Sequence, residues 1–198
     1  MGIMSVEVGK DVKKAFEQVS RWILIKEGTG RKYPRRSLWM SLMAYSWKRR
    51  MCLQGVLGKP LGSNIGIVAG SPFAVQELTV IMVKVVEEWR KVNPVGCISI
   101  HVDDIAISVW GRSKEDIQDK VLRGVACLDK VVEDGLGMMF SKEKTYIVQS
   151  HPGLVDGLVS TGEVEGSLCK QGEYIRRLGV DHNLEGMVNK EGAVAVWR

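Results

Sequence analysis

Cys97-Ile-Ser-Ile-His-Val-Asp-Asp-Ile-Ala-Ile-Ser-Val109 carries the clearest local signal in the chain. Side-chain character alternates on both sides of an acidic pair, over Cys97–Val102 and Ile105–Val109, which is the period of two strands joined as a hairpin. Asp103-Asp104 is left as the two-residue turn. Aspartate suits a turn because it tolerates a left-handed backbone. Two adjacent carboxylates nevertheless repel each other unless a cation neutralises them. Hard divalent ions take such oxygen ligands together with phosphate oxygens of a substrate. A third carboxylate from a neighbouring strand end would complete a cradle for two ions about 3.5–4 Å apart, an arrangement that serves phosphoryl transfer. Asp11 is the candidate, at the end of the β-capable run that starts at Met4; a plain helix N-cap is its ordinary alternative.

Working outward, Ala15, Phe16, Val19, Trp22 and Ile23 fall at helical spacing and predict one helix over Val12–Lys26. A second is expected over Ser37–Arg50, after Pro34. Gly55, Gly58, Pro60 and Gly62 make Cys52–Ile65 a hairpin and loop, Gly66–Gly70 a tight loop, and Pro72 the opening of a long helix to about Val92. Beyond the central hairpin, Ser113 caps a helix to about Glu133. Met138–Phe140 and Thr145–Gln149 read as a second strand pair, and Glu173–Val180 as a last strand. This order predicts an α+β fold, an antiparallel sheet with helices packed against one face. Little periodicity follows Asp181, so residues 182–198 are expected to form a poorly structured tail.

The chain has 198 residues, 45% hydrophobic and 26% charged, which excludes disordered, collagenous and coiled-coil classes and fits one domain or slightly more. No apolar run approaches the ~18 residues of a membrane helix, and the N-terminus lacks signal-peptide architecture, so no membrane association is expected. Cys52, Cys97, Cys127 and Cys169 are too scattered for a zinc site or a disulfide framework, as in a reducing compartment, cytoplasm or nucleus. The net charge of +5 is concentrated. Between Lys26 and Lys59 nine cations face a single acid, Glu27, with Tyr33, Trp39, Tyr45 and Trp47 interleaved. Such a block suits a phosphate backbone; it is equally a solvated helix face whose aromatics belong to the core.

Five segments occur in one order: Asp11-Val-Lys-Lys-Ala-Phe-Glu17, Gly66-Ile-Val-Ala-Gly-Ser-Pro72, His101-Val-Asp-Asp104, Lys142-Glu-Lys-Thr145 and Arg177-Leu-Gly-Val180. They resemble motifs A to E of the reverse-transcriptase palm, in the style of non-LTR retrotransposon enzymes. Asp11 and Asp103 stand 92 residues apart, a separation that suits that family. The resemblance covers residues 1–181 as a polymerase palm, with 24–65 partly a fingers-like insertion. It implies RNA-directed DNA synthesis, in which Asp11, Asp103 and Asp104 hold two Mg²⁺ ions, with Mn²⁺ as the alternative. Phe16 would lie beneath the nucleotide sugar and exclude a 2′-hydroxyl; Gly70 and Ser71 would approach the template–nucleotide pair. Lys144 would protonate pyrophosphate, and Arg177 would grip primer phosphates. An RNA template, a DNA primer and dNTP are the implied partners; oligomeric state is left open.

The match has departures. His101 stands where an aromatic Tyr or Phe is usual, Glu17 where Asp is common, Ala69 in place of Gln and Ser141 in place of Asn. Only ten residues precede Asp11 and 18 follow Val180, so most of the fingers and a helical thumb are expected to be missing and the isolated chain to polymerise poorly. Two rivals remain: a catalytically inactive nucleic-acid-binding retroelement relic, and the palm of an RNA-dependent RNA polymerase. Phe16, and the lack of Gly before Asp103, speak against the latter.

Overall fold

Alternation along the first strand positions everything else. Val6, Val8, Lys10 and Val12 are all buried, at 0–6% exposure, and form one row; Glu7, Gly9 and Asp11 form the other. This strand, β1 (Met4–Asp11), is central in the main sheet, whose order is β4-β5-β1-β6-β7. Its antiparallel neighbours are β5 (Asp104–Gly111) and β6 (Tyr146–Gln149), and β4 (Cys97–His101) pairs with β5. Four strands are thus antiparallel, and the short β7 (Ser167–Leu168) adds in parallel at the edge. The computed structural model describes residues 4–162, Val164 and the strands at 167–168, 175–177 and 180–182.

The Val6 row packs with Ile105, Ile107 and Val109 of β5 against α4 (Ala74–Val92) and α5 (Lys114–Asp129). On α4 the core residues Ala74, Leu78, Ile81, Met82, Val85 and Trp89 recur at three- and four-residue steps and make one apolar stripe. Burying each such side chain contributes about 1.5–3 kcal/mol. The expected α+β architecture, an antiparallel sheet with helices on one face, is the one observed. As expected, no helix among the described residues is long and apolar enough to cross a membrane.

Local structure departs from expectation in four places. The Val12–Lys26 helix is two, α1 (Ala15–Gln18) and α2 (Arg21–Gly30). The carbonyls of Phe16 and Val19 accept from Ile67 and Gly66 instead of continuing a helix, and the Ser20 hydroxyl caps a new helix at Ile23 N. The hairpin turn is Val102-Asp103, so Asp104 belongs to β5 and pairs with His101. Met138–Phe140 forms no strand: only a bridge from Phe140 to Val12 forms, and β6 alone takes the free edge of β1. The last strand is a hairpin of β8 (Ile175–Arg177) and β9 (Val180–His182). Of the poorly structured tail expected over 182–198, His182 ends β9 and the rest lies outside the described residues. Elsewhere α3 (Arg35–Ser46) is followed by the small β2–β3 hairpin (Cys52–Leu53, Val56–Leu57), and α5 runs on into a π-helical turn, Lys130–Gly135.

Candidate functional site

In an antiparallel pair, directly opposed residues point to the same face, close enough for their side chains to meet. Asp11 is opposed to Asp104, Gly9 to Ala106 and Glu7 to Ser108. Lys10, one residue before Asp11, reaches the helix side and pairs with Asp129 of α5 beneath the Phe140 ring. Asp11 and Asp104 therefore rise from the opposite face, where Asp11 is 8% exposed and Asp104 half-buried. Small residues floor that face: Gly9, Ala106 and Ser99, the latter two cross-strand partners. Gly9 is required there, because a Cβ would lie 2.0 Å from the Tyr146 ring, whose hydroxyl donates to Glu7.

The third carboxylate sits in the turn. Val102 has φ 58°, a left-handed conformation that β-branched residues rarely adopt. Backbone strain of this kind concentrates where a side chain must be aimed at a functional site. Here it turns the chain so that Asp103 follows at the tip, with its carbonyl accepting from Val12 N at 2.9 Å. That bond clamps the hairpin tip to the residue after Asp11.

Lys144 reports on the field these groups create. Ser141 N donates to the Asp11 carbonyl at 2.8 Å and fixes the 3₁₀ turn Lys142–Lys144 beside the strand end. The Lys144 ammonium lies 3.2 and 3.1 Å from the two Asp11 carboxylate oxygens. Its pKa is raised, first by the hydrogen bond to Asp11 and by that carboxylate's charge, then by Asp103 and Asp104. One cation thus feels all three carboxylates. Its side chain is 65% exposed, so the ion pair adds little stability.

That ammonium offsets part of the negative charge of the acidic groups around it. Among the described residues no trio of His, Cys, Asp or Glu is gathered closely enough to hold a metal alone. Magnesium is commonly held by one or two carboxylates with substrate phosphates and water completing the shell. Asp11 and Asp104, opposed at a strand end, fit that role.

The glycine loop is held against α1 and the residue that follows it. Gly66 N and Ile67 N donate to Val19 and Phe16 carbonyls, both at 2.8 Å, and Phe16 is half-buried against the core. Gly66 has φ +82°, and a Cβ there would sit 2.9 Å from the Glu17 carbonyl oxygen. Gly70, φ +88°, is exposed with open space around it. The β8 backbone contains Arg177; its side chain lies outside the described residues.

Three further features were not anticipated from the sequence. Arg21 donates to the carbonyls of Gly66, Ser63 and Ile65, which clamps the loop's approach. The Tyr45 hydroxyl donates to fully buried Glu77 at 2.7 Å and lies 3.2 Å from the Ser71 hydroxyl, tying α3 and α4 to the loop. The signal for Glu77 was available: it is the one acid on the apolar stripe of α4. Lys10 was legible too, as the lone charge in the Val6-Val8-Val12 row. In the basic block, Tyr45 is core and Tyr33 half-buried against it, whereas Trp39 and Trp47 are 60% and 66% exposed.

Burial pushes the Tyr45 hydroxyl up to about 12, opposed by its bond with Ser71 and reinforced by Glu77. Unfolded tyrosine ionises near 10. The stability this shift provides is therefore complete below about pH 10 and lost as pH climbs towards 12. Tyr45→Phe is expected to flatten that alkaline slope in urea-midpoint measurements. At neutral pH it should cost about 1–3 kcal/mol, because Glu77 loses its donor.

No family model and no curated protein matches the sequence. Among solved structures, apo telomerase of Candida tropicalis truncated from its C-terminal domain superposes with TM-score 0.63 at 13% identity, over 96% of this chain and 36% of that one. The apo form of that enzyme gives 0.64 at 13%, over 94% and 33%. Its complex with a TWJ fragment of telomeric RNA gives 0.65 at 12%, over 96% and 30%. The chain spans about a third of these proteins' length, and at such identity the likeness is one of fold.

Proposed function

We propose that this chain is the palm core of an RNA-directed DNA polymerase of the non-LTR retroelement type. The observation that carries the reading is the direct opposition of Asp11 to Asp104 beside a hairpin tip clamped to Val12 N. The telomerase-like fold supports it, and one of those telomerases was solved with RNA. The substrates would be dNTP, a DNA primer and an RNA template.

Asp11 and Asp104 would hold two Mg²⁺ ions, with Asp103 adding negative charge at the turn. Bound there, such ions acidify a primer 3′-hydroxyl and neutralise the triphosphate. The rest falls to the chain's own residues. Lys144 stands beside Asp11, its ammonium 3.1 Å from the carboxylate, where it would pass a proton to departing pyrophosphate. Phe16 is fixed through its carbonyl to Ile67, on the segment that joins Asp11 to the glycine loop, and would bar a 2′-hydroxyl. Gly70 and Ser71 would meet the template–nucleotide pair, and Arg177 the primer phosphates. Segment 24–65, with exposed Trp39 and Trp47 among Arg35, Arg36, Arg49 and Arg50, would act as a partial fingers element stacking and neutralising template.

The test is single-turnover primer extension on an RNA template with enzyme in excess, in Mg²⁺ or Mn²⁺, with dNTP against NTP. Deoxynucleotide preference is expected, and Phe16→Ala should narrow it. NTP preference would favour an RNA-dependent RNA polymerase palm; nucleic-acid binding with neither extension nor metal uptake would favour the inactive relic.

A further inference from the structure

The helix side carries a feature that polymerisation does not use. Between α4 and the end of α5 runs a groove of about 560 Å³, well inside the range of ligand-sized clefts. Its floor is of small or short apolar side chains, Val92, Ala126, Cys127 and Val131. The π-helical turn Lys130–Gly135 ends it, with exposed Gly135 leaving one end without a side-chain wall. Turns of this rare geometry are frequent at functional positions. Two packed helices with a small-residue furrow between them offer the ridge-and-groove surface that receives a third.

The charges along the rim are uneven. Lys91 is held by Glu88 at 2.7 Å, and Arg123 by Asp119 at 2.6 Å. Lys84 and Lys130 have no ion-pair partner among the described residues. Two uncommitted cations therefore flank an apolar floor. A nucleic-acid backbone would have no use for that floor, while an apolar ligand alone would leave the cations idle.

We propose that this groove docks an amphipathic helix of a partner protein, with large apolar side chains entering the floor and Asp or Glu flanking them to meet Lys84 and Lys130. It is a helix-in-groove interface, read through anchors at three- and four-residue spacing. Lys10 shows that the helix side and the carboxylate side are opposite faces of one sheet, so a docked partner leaves the candidate site open. The inference stands apart from the polymerase reading.

The probe is a fluorescein-labelled synthetic helix of about 18 residues, roughly five turns, with a Leu/Trp stripe and a Glu-rich opposite face. Anisotropy should show it binding the whole chain about tenfold or more tighter than a scrambled peptide of the same composition. Lys84→Glu with Lys130→Glu should remove about tenfold or more of that affinity. Ala126→Trp, which fills the floor, should abolish binding, and bound peptide should slow alkylation of Cys127 while leaving Cys52 unchanged. Both lysines lie outside the core, and thermal denaturation of the reversed variant checks that its fold is kept. Equal binding of stripe and scrambled peptides overturns the proposal, as do absent binding and indifference to the lysine reversal. A short RNA that displaces the peptide and depends on the same lysines overturns it too, in favour of a nucleic-acid surface.

Discussion

Asp11→Asn and Asp104→Asn are each expected to reduce single-turnover primer extension by roughly 10²–10³ or more, the scale on which losing one group that stabilises developing charge acts. The folded state should be nearly untouched. The two carboxylates are directly opposed on neighbouring strands, where like charges repel, so neutralising either relieves a small cost. Asp11→Asn also gives up the Lys144 pair, but Lys144 is mostly exposed and the loss is about 1 kcal/mol or less. Thermal denaturation next to the extension assay separates the two effects. Activity that survives in both variants would remove these carboxylates from the chemistry.

The second large effect is structural and comes from the other side of the same strand end. Lys10 is 5% exposed at its side chain, paired with Asp129 and stacked on Phe140 at 4.6 Å. Asp129→Ala takes the ion-pair partner from that buried ammonium, and should cost about 2–4 kcal/mol. Lys10→Met keeps the apolar contact with Phe140 and leaves Asp129, 39% exposed, free to hydrate; its cost should be about 1 kcal/mol. The double variant should recover most of the Asp129→Ala loss. Urea denaturation of the four proteins closes the cycle. An Asp129→Ala cost no larger than that of Lys10→Met would mean that the pair does not anchor β1 to α5.

Much of this was legible in the residues because local and global preferences agree. Alternation in Ile105–Val109 and the apolar stripe of α4 each name one face, and the sheet–helix packing follows from burying both. The central hairpin was visible, but its turn lies one residue earlier than expected, which shifts each cross-strand partner by two. Asp103-Asp104 resembles turn chemistry more than Val102-Asp103 does, and no local rule places a valine at φ 58°. What decides the register is tertiary: Val12 N needs the Asp103 carbonyl, and Asp104 needs its place opposite Asp11. The break between α1 and α2 was hidden for the same reason. Its helical spacing is genuine, but the Phe16 and Val19 carbonyls are taken by a loop some fifty residues away in the chain. Lys144 could be singled out by resemblance alone. Its contact with Asp11 depends on the Ser141–Asp11 backbone bond, which no periodicity encodes.

In the proposed site Asp11 and Asp104 hold divalent metal when a nucleotide is present, with the charge of Asp103 beside them. Iron-directed cleavage tests it most directly: Fe²⁺ replaces Mg²⁺ in the presence of dNTP, peroxide and ascorbate are added, and the cut sites are mapped by mass spectrometry. The account predicts dNTP-dependent cuts clustered around Asp11 and around Asp103-Asp104, suppressed by excess Mg²⁺ and by Asp104→Asn. Cuts confined to other parts of the chain, or unaffected by nucleotide and by that substitution, would contradict it.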